Sequence, residues 1–254
     1  MDENINSAPE GATAVSKKGF ISWLDNYWYH YKWQTIIALF FIVIITVSTL
    51  QMCQKESYDL YVLYAGPTEI ERKKEDGDLF SDYQMAMSSL ASVSKDYDEN
   101  GKTAVSLKDL FLLTPEEIAE AEKDENHEVN YILLNDNKSN FLETIRYSDY
   151  YLCFLSEELY KEYKTIEEVQ MFEDLTSFTT DESTAAFLDS CAVYLNSTGF
   201  SDKPIFEDLP ENTVVCLKKV SALASKFDKK DSDKHHARAE ETIKKIINLA
   251  KTTE

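Results

Sequence analysis

The amino-acid sequence predicts an α/β fold, in which one transmembrane helix is followed by a single ectodomain with a mixed sheet. Two observations lead to this prediction. No charged residue occurs from Trp33 to Gln54. Beyond that stretch, β-branched or aromatic runs alternate with segments of helical periodicity, an order typical of α/β domains with a mixed or largely parallel sheet. A chain of 254 residues accommodates one such domain with appendages.

The transmembrane helix is predicted at residues 34–53. The stretch from Thr35 to Met52 is almost continuously apolar, and as a helix it would extend about 27 Å, close to the hydrocarbon thickness of a bilayer. Aromatic residues crowd its upstream side, as in an interfacial belt: Trp23, Tyr27, Trp28, Tyr29, Tyr31 and Trp33. The alternatives are the buried core helix of a soluble protein and a cleaved signal peptide. The long preceding segment and the lack of an A-x-A site favour a retained anchor.

The residues before the span form two predicted regions. Residues 1–16 are expected to be a disordered head. Residues 17–33 are predicted to be an aromatic amphipathic helix, because apolar side chains recur at helical spacing: Phe20, Trp23, Leu24, Tyr27, Trp28 and Tyr31. This helix either lies in the membrane interface or continues into the span, and the sequence leaves both open.

The orientation is predicted from the basic residues on each side of the span. Three lysines precede it, whereas Lys55 and Arg72 follow it. The positive-inside rule and the shorter N-terminal segment place the N-terminus in the cytoplasm. We therefore expect a single-pass protein of the cell membrane with an extracytoplasmic domain at residues 57–222 and a C-terminal helical tail at residues 223–254.

The elements of the ectodomain follow from local patterns. Strands are predicted at 58–65, 103–113, 150–155, 191–195 and 213–220, and helices at 80–93, 114–123, 138–146, from Ser156 onward and at 233–251. Thr114-Pro115-Glu116-Glu117 has the order of a capping box with proline in the first turn. Residues 165–175 are predicted to hold a short helix and a hairpin-like turn. In the tail, one helical face carries Ile243, Ile246, Ile247 and Ala250.

The composition excludes several classes of function. The chain has 46 acidic and 26 basic residues, a net charge of −20, which excludes nucleic acid as a partner because phosphate binding needs clustered lysine and arginine. Six scattered glycines form no phosphate-binding loop, and four histidines and four cysteines lack zinc spacing. His127 is interpreted as part of a solvated helix end, and His235 and His236 as exposed helix residues. No cluster of acid, base and nucleophile is visible, so an enzyme is the least favoured class.

Cysteine and tyrosine each leave two interpretations open. Cys153, Cys191 and Cys216 lie in apolar strand-like runs, where they are small core residues or, outside the cytoplasm, include a Cys191–Cys216 bridge. The 15 tyrosines fit a ligand cleft or interface as well as ordinary strand packing.

One loop has the opening pattern of a calcium-binding EF-hand. The oxygen ligands would come from Asp96, Asp98, Asn100 and the backbone carbonyl of Lys102, with Gly101 at the turn. The twelfth position, which should be a bidentate glutamate, is Leu107, and Asp109 lies two residues further on. The alternative is an ordinary Asx turn between a helix and a strand. Calcium is the only cofactor that the sequence suggests.

The chain resembles a group of single-pass membrane proteins of Gram-positive bacteria. The resemblance rests on the aromatic entry to the span, Tyr29-His30-Tyr31-Lys32-Trp33, and on the strand at residues 58–66 after a short stalk. The order of the ectodomain also resembles the type II periplasmic solute-binding fold, in which a helix leads into a short strand and a helix that begins with serine, as at residues 149–163. The resemblance implies a solute-binding-like domain and supplies no ligand residues.

Three hypotheses for function follow. The first is a membrane-anchored binding or accessory module whose solute-binding-like ectodomain takes a small-molecule ligand. The second is a structural docking partner of another membrane or envelope protein, without a small-molecule ligand. The third, an envelope enzyme, would need distant residues brought together by the fold. In each case the lipid bilayer is a partner.

Overall fold

The computed structural model describes residues 18–53, 58–72, 80–123, 129–180, 183–221, 226 and 229–251. The chain forms two compact units, Met1–Glu56 and Ser57–Glu254, and we refer to the second as the α/β domain. The predicted head at residues 1–16 and His127 lie outside the described residues.

The described part of the first unit is one helix, α1, from Lys18 to Cys53. Its 36 residues extend about 54 Å, so residues 18–33 continue into the apolar stretch as one helix. Tyr27–Thr49 is long and apolar enough to cross a membrane, and none of its apolar window is buried. The hydroxyls of Thr46 and Thr49 donate to the carbonyls of Ile42 and Ile45, each at 2.7 Å, which satisfies their donors without water.

The α/β domain is built on a six-stranded mixed sheet of order β2-β1-β3-β8-β7-β6. Its strands are β1 (Leu60–Gly66), β2 (Val105–Phe111), β3 (Leu152–Ser156), β6 (Phe187–Asp189), β7 (Ala192–Tyr194) and β8 (Thr213–Leu217). The first three are mutually parallel, and the remaining pairs are antiparallel. The prediction of an α/β domain with a mixed sheet is confirmed.

A separate hairpin pairs β4 (Thr165–Ile166) with β5 (Val169–Gln170). Its turn residues Glu167 and Glu168 both have positive φ, as a type I′ hairpin turn requires. The hairpin-like turn predicted in residues 165–175 is therefore present. The only regular helical turn described in that region lies just after it, at Thr176–Phe178, and has 3₁₀ geometry.

Five α-helices accompany the strands within the described part of the domain: α2 (Asp82–Val93), α3 (Pro115–Ala121), α4 (Tyr131–Tyr147), α5 (Glu157–Tyr163) and α6 (Lys229–Asn248). The predicted capping box is confirmed, since the Thr114 hydroxyl accepts from the Glu117 N–H at 3.2 Å and the Glu117 carboxylate accepts from the Thr114 N–H at 2.7 Å. The Ser156 cap of α5 is also present.

The sheet is buried on both faces. Along β1, Val62 and Tyr64 belong to a core cluster that includes residues of α2 and α6, whereas Leu63 and Ala65 belong to a second cluster with Phe141 of α4. Successive side chains of a strand point to opposite faces, so β1 contributes to both clusters. This burial explains why its sequence is apolar throughout rather than alternating.

Helix α6 is an integral part of the α/β domain rather than a separate tail. Ile243, Ile246 and Ile247 are fully buried in the core, as their common face predicts. Ala250 lies beyond the end of the helix and is exposed. The Gly199 N–H donates to the Leu249 carbonyl at 2.7 Å, so the end of α6 is hydrogen-bonded to the 3₁₀ helix Gly199–Asp202 between β7 and β8.

The three cysteines of the α/β domain are buried free thiols. Cys153 and Cys216 are register partners on β3 and β8. The structure therefore agrees with the core interpretation and contains no Cys191–Cys216 bridge. Burial raises the pKa of the Cys216 thiol, which disfavours the reactive thiolate.

Candidate functional site

The candidate site lies where the parallel strands β1, β2 and β3 end. In α/β sheets, ligands bind outside the carboxyl ends of the strands. Helix α3 begins shortly after β2, and α5 begins directly after β3. Between α3, α4 and α5 there is a cavity of about 330 Å³, which we call the helical groove. Its apolar lining is Leu112, Leu113, Ile118, Tyr131, Leu134 and Leu159.

The first turn of α4 forms one wall of the helical groove and continues onto the surface. Asn130 caps this turn, its side-chain oxygen accepting from the Leu133 N–H at 3.0 Å. Tyr131 is 49% exposed, Ile132 77% and Leu133 42%. Contiguous apolar side chains that are exposed to solvent often mark an interaction site. Tyr131 lines the cavity and also belongs to this exposed turn, so it connects the two apolar features.

The charges of the helical groove are predominantly negative. Glu116, Glu158 and Glu162 line it against one cation, Lys138, whose Nζ lies 3.6 Å from the Glu162 carboxylate. The first turns of α3 and α5 are acidic as well. Helix N-termini attract anions, but here the protein's own carboxylates supply the negative charge. The groove therefore suits an apolar or cationic ligand better than an anionic one.

The predicted calcium loop lies between α2 and β2, away from the helical groove. The Asp96 carboxylate accepts from the N–H groups of Gly101 and Asn100 at 2.7 and 3.3 Å, and Asp98 accepts from Asn100 at 3.1 Å. The Asn100 side chain in turn accepts from the Lys102 N–H at 2.9 Å. These are the bonds of Asx turns, and Gly101, at φ +86°, provides the left-handed residue.

The twelfth position and the nearby carboxylate of Asp109 are both engaged elsewhere in the structure. Leu107 is buried in β2, and Asp109 pairs with Arg72. Instead, Asp59 joins Asp96 and Asp98, with one oxygen of each within 4.8 Å of the others. The buried Asp59 carboxylate already accepts from two N–H groups, of Tyr97 and Ala104, both at 2.9 Å. Calcium binding by Asp96, Asp98, Asn100 and Lys102 stays a prediction.

A cluster of tyrosine and histidine lies at the amino ends of β1 and β3. The rings of Tyr61 and His235 are 4.8 Å apart, and those of Tyr151 and His236 are 5.3 Å apart. The interpretation of both histidines as exposed was wrong, because α6 turns them towards β1 and β3. Burial lowers the pKa of both imidazoles. Tyr61 also packs edge-on against Tyr150, so these tyrosines serve packing rather than a cleft.

Besides Arg238, which is 7% exposed, sequence reasoning missed the buried cation Lys218. It follows β8 and is 1% exposed, and burial lowers the pKa of its amine to about 8. Its position in an apolar run, directly after Leu217, was the only available signal. Lys218 lies near the carboxyl end of α4, whereas the helical groove is lined by the first turns of that helix. Lys218 is therefore not part of the groove.

Comparison with protein-family models, with curated proteins and with solved structures found no match for the chain. Function is therefore inferred from the physical features of the two units. The most informative of these are the unburied apolar helix α1 and the apolar surface at the helical groove.

Proposed function

We propose that the protein is a membrane-anchored docking module. Helix α1 crosses the cell membrane with the N-terminus in the cytoplasm, and the extracytoplasmic α/β domain binds a partner protein through the helical groove. The observation that carries this proposal is the continuity between the cavity and the exposed first turn of α4. An anchor of this kind raises the local concentration of the domain beside other membrane proteins.

The support for the anchor is the state of α1. Its apolar window is entirely unburied, and burying apolar surface is worth about 25 cal/mol per Å². In a bilayer, the same apolar surface would contact lipid chains. The hydroxyls of Thr46 and Thr49 would keep their hydrogen bonds within the helix. The six upstream aromatic residues suit the interface between lipid and water.

The support for a protein partner is the extent of the apolar surface. A small molecule in a cavity of about 330 Å³ would leave Ile132 in water. A protein surface or helix could cover Ile132 and Leu133 while one of its apolar side chains entered the cavity. Helix-in-groove recognition uses anchors spaced in this way.

A second candidate function is small-ligand binding, as the solute-binding-like resemblance implies. The cavity volume lies at the low end of the usual range for ligand pockets, and the cavity lies at the favoured edge of the sheet. The melting temperature of the full-length protein in nanodiscs, measured with sugars, amino acids and short peptides, tests this function. A ligand at about 100 times its dissociation constant adds about 2.7 kcal/mol, a shift of a few degrees.

The docking proposal is tested by photo-cross-linking in the native membrane. A benzoyl-phenylalanine replaces either Tyr131 or Tyr147, which lie on the same helix about 24 Å apart and are similarly exposed, at 49% and 55%. We expect a discrete covalent adduct from position 131 that Ile132→Asp weakens, and none from position 147. Equal adducts from both positions, or none from either, would contradict docking at the helical groove.

A further inference from the structure

We propose that the partner segment bound by the helical groove is a basic amphipathic helix. Its apolar face lies on the groove, and its lysine or arginine side chains pair with the carboxylates of the groove. This inference rests on the proposed docking function and specifies the chemistry of the partner. Two properties of the groove lead to it, accessible apolar side chains and a negative charge that the groove itself does not neutralise.

The apolar part of the groove can be reached from solvent. Ile132 is 77% exposed and Tyr131 is 49% exposed. Within the lining, Ile118 and Leu159 are partly exposed. A partner can therefore contact these side chains while the core of the domain stays closed.

The carboxylates of the groove are accessible as well. Glu116, Glu158 and Glu162 line it and are all exposed. Glu162 pairs with Lys138 at 3.6 Å. Among the described residues, neither Glu116 nor Glu158 forms an ion pair, and Glu158 accepts a hydrogen bond from the neutral side chain of Asn212 at 3.1 Å. Two of the three carboxylates thus remain available to cations of a partner.

The helices around the groove do not supply the missing cations. Helix α3 contains three glutamates and no basic residue. Lys161, the only basic residue of α5, pairs with Glu157. The groove therefore attracts basic segments. It repels the anionic headgroups of a membrane surface and also a second copy of this chain, which carries a net charge of −20.

A helical segment meets the apolar and the electrostatic requirement together. Residues three and four apart lie on the same face of a helix, so a row of apolar side chains can be flanked by lysine or arginine. The long apolar stems of these residues extend the contact with the groove, while their charged ends stay at the exposed carboxylates. Amphipathic helices are recognised in grooves in this manner.

The test uses benzoyl-phenylalanine at position 131 in the native membrane. Two triple variants remove the same number of charges, all from exposed side chains. The groove variant is Glu116→Gln, Glu158→Gln, Glu162→Gln. The control variant, whose residues do not line the groove, is Glu143→Gln, Glu207→Gln, Glu211→Gln. An exposed ion pair changes an equilibrium by about 1.4- to 5-fold, so we expect the adduct yield to fall about threefold or more in the groove variant and to stay unchanged in the control.

Salt provides a second readout. Raising sodium chloride from 0.15 to 1 M shortens the Debye length from about 8 Å to about 3 Å. The adduct yield of the protein with all its glutamates should fall in 1 M salt, whereas that of the groove variant should change little. Docking by apolar contacts alone predicts no loss of adduct in 1 M salt.

Charge reversal tests the pairing directly. Mass spectrometry of the adduct identifies the cross-linked segment of the partner, in which we expect lysine or arginine beside apolar residues at helical spacing. Glu158→Lys with Glu162→Lys should abolish the adduct. Exchange of two basic residues of that segment for glutamate should restore it.

The outcomes distinguish this inference from the docking function. Absence of a discrete protein adduct from position 131 would overturn both. A discrete adduct that resists the groove variant and 1 M salt would overturn the basic helix and leave docking intact. The same holds for a cross-linked segment without lysine or arginine, and for a cross-link to a second copy of this chain.

Discussion

The side-chain nitrogen of Lys218 lies 2.5 Å from the carbonyl oxygen of Ser148 and 3.0 Å from that of Thr144. A buried lysine therefore satisfies the last carbonyls of α4, where a cation also complements the helix dipole. The Tyr151 ring lies 5.1 Å from the same nitrogen. These contacts hold the amine in the core at the cost of its hydration.

This relationship predicts a pH-dependent stability. The Lys218 pKa is about 8 in the folded state against 10.5 for the free side chain, so the unfolded chain binds more protons between these values and stability rises with pH. We expect the free energy of unfolding of the wild type, relative to Lys218→Met, to increase by about 3 kcal/mol between pH 8 and 10.5. Urea titrations followed by circular dichroism measure this difference, with Lys219→Met as the matched control. A constant difference across this range would contradict the prediction.

The partly buried histidines predict acid sensitivity. Because burial lowers the pKa of His235 and His236 below the ordinary 6.5, the unfolded chain takes up their protons first as pH falls, and stability is lost below about pH 6.5. The double variant His235→Gln, His236→Gln should lose less melting temperature between pH 7 and pH 5 than the wild type. An equal loss in both proteins would assign the acid sensitivity to other groups.

The predicted calcium loop is tested by a paired substitution. If Asp96 and Asp98 bind the ion, millimolar calcium raises the melting temperature of the wild type, and the variant Asp96→Ala, Asp98→Ala abolishes that increase. Magnesium at the same concentration controls for ionic strength. Identical responses to calcium in the two proteins would leave the Asx-turn bonds as the role of this loop.

The proposed topology predicts the behaviour of fusions after Glu254. Alkaline phosphatase, which needs an oxidising compartment, should be active there, and a fluorescent protein that folds only in the cytoplasm should be dark. Fusions of the same reporters before Met1 should behave in the opposite way. Phosphatase activity at the N-terminus alone would reverse the proposed orientation.

Gly199 makes a packing prediction. A Cβ at this position would lie 2.0 Å from the Ala250 carbonyl oxygen, so Gly199→Ala must displace the end of α6. We expect a loss of about 1–3 kcal/mol, the usual range for overpacking. The control is Gly19→Ala, where a Cβ would meet nothing within 4 Å, and chemical denaturation of the α/β domain should give the wild-type midpoint there.

Much of the fold could be predicted because its elements have strong local signals. Strands β1, β3 and β8 are short apolar runs. The N-caps of α3 and α5 can be recognised from four or five consecutive residues. Strand β6 was missed because three residues, one of them Asp189, form no pattern of their own. The first two turns of α4 were missed because their exposed apolar residues contradict an amphipathic pattern.

The candidate site could not be predicted, because no local segment contains it. Leu112, Leu134 and Leu159 come from three segments and meet only when β2 and β3 are aligned through β1. Strand order and register are long-range properties that periodicity does not encode. The burial of Lys218 could not be predicted either, because a lysine near a strand end is ordinarily exposed.

The position of α6 in the core has a consequence for biosynthesis. Residues 229–248 are made after every strand of the sheet, yet Ile243, Ile246 and Ile247 cover strands formed from the earliest part of the domain. A nascent chain that has not yet released these residues exposes an open apolar face. The core is thus completed only when the last helix is made, and we expect prematurely terminated chains to expose this apolar face.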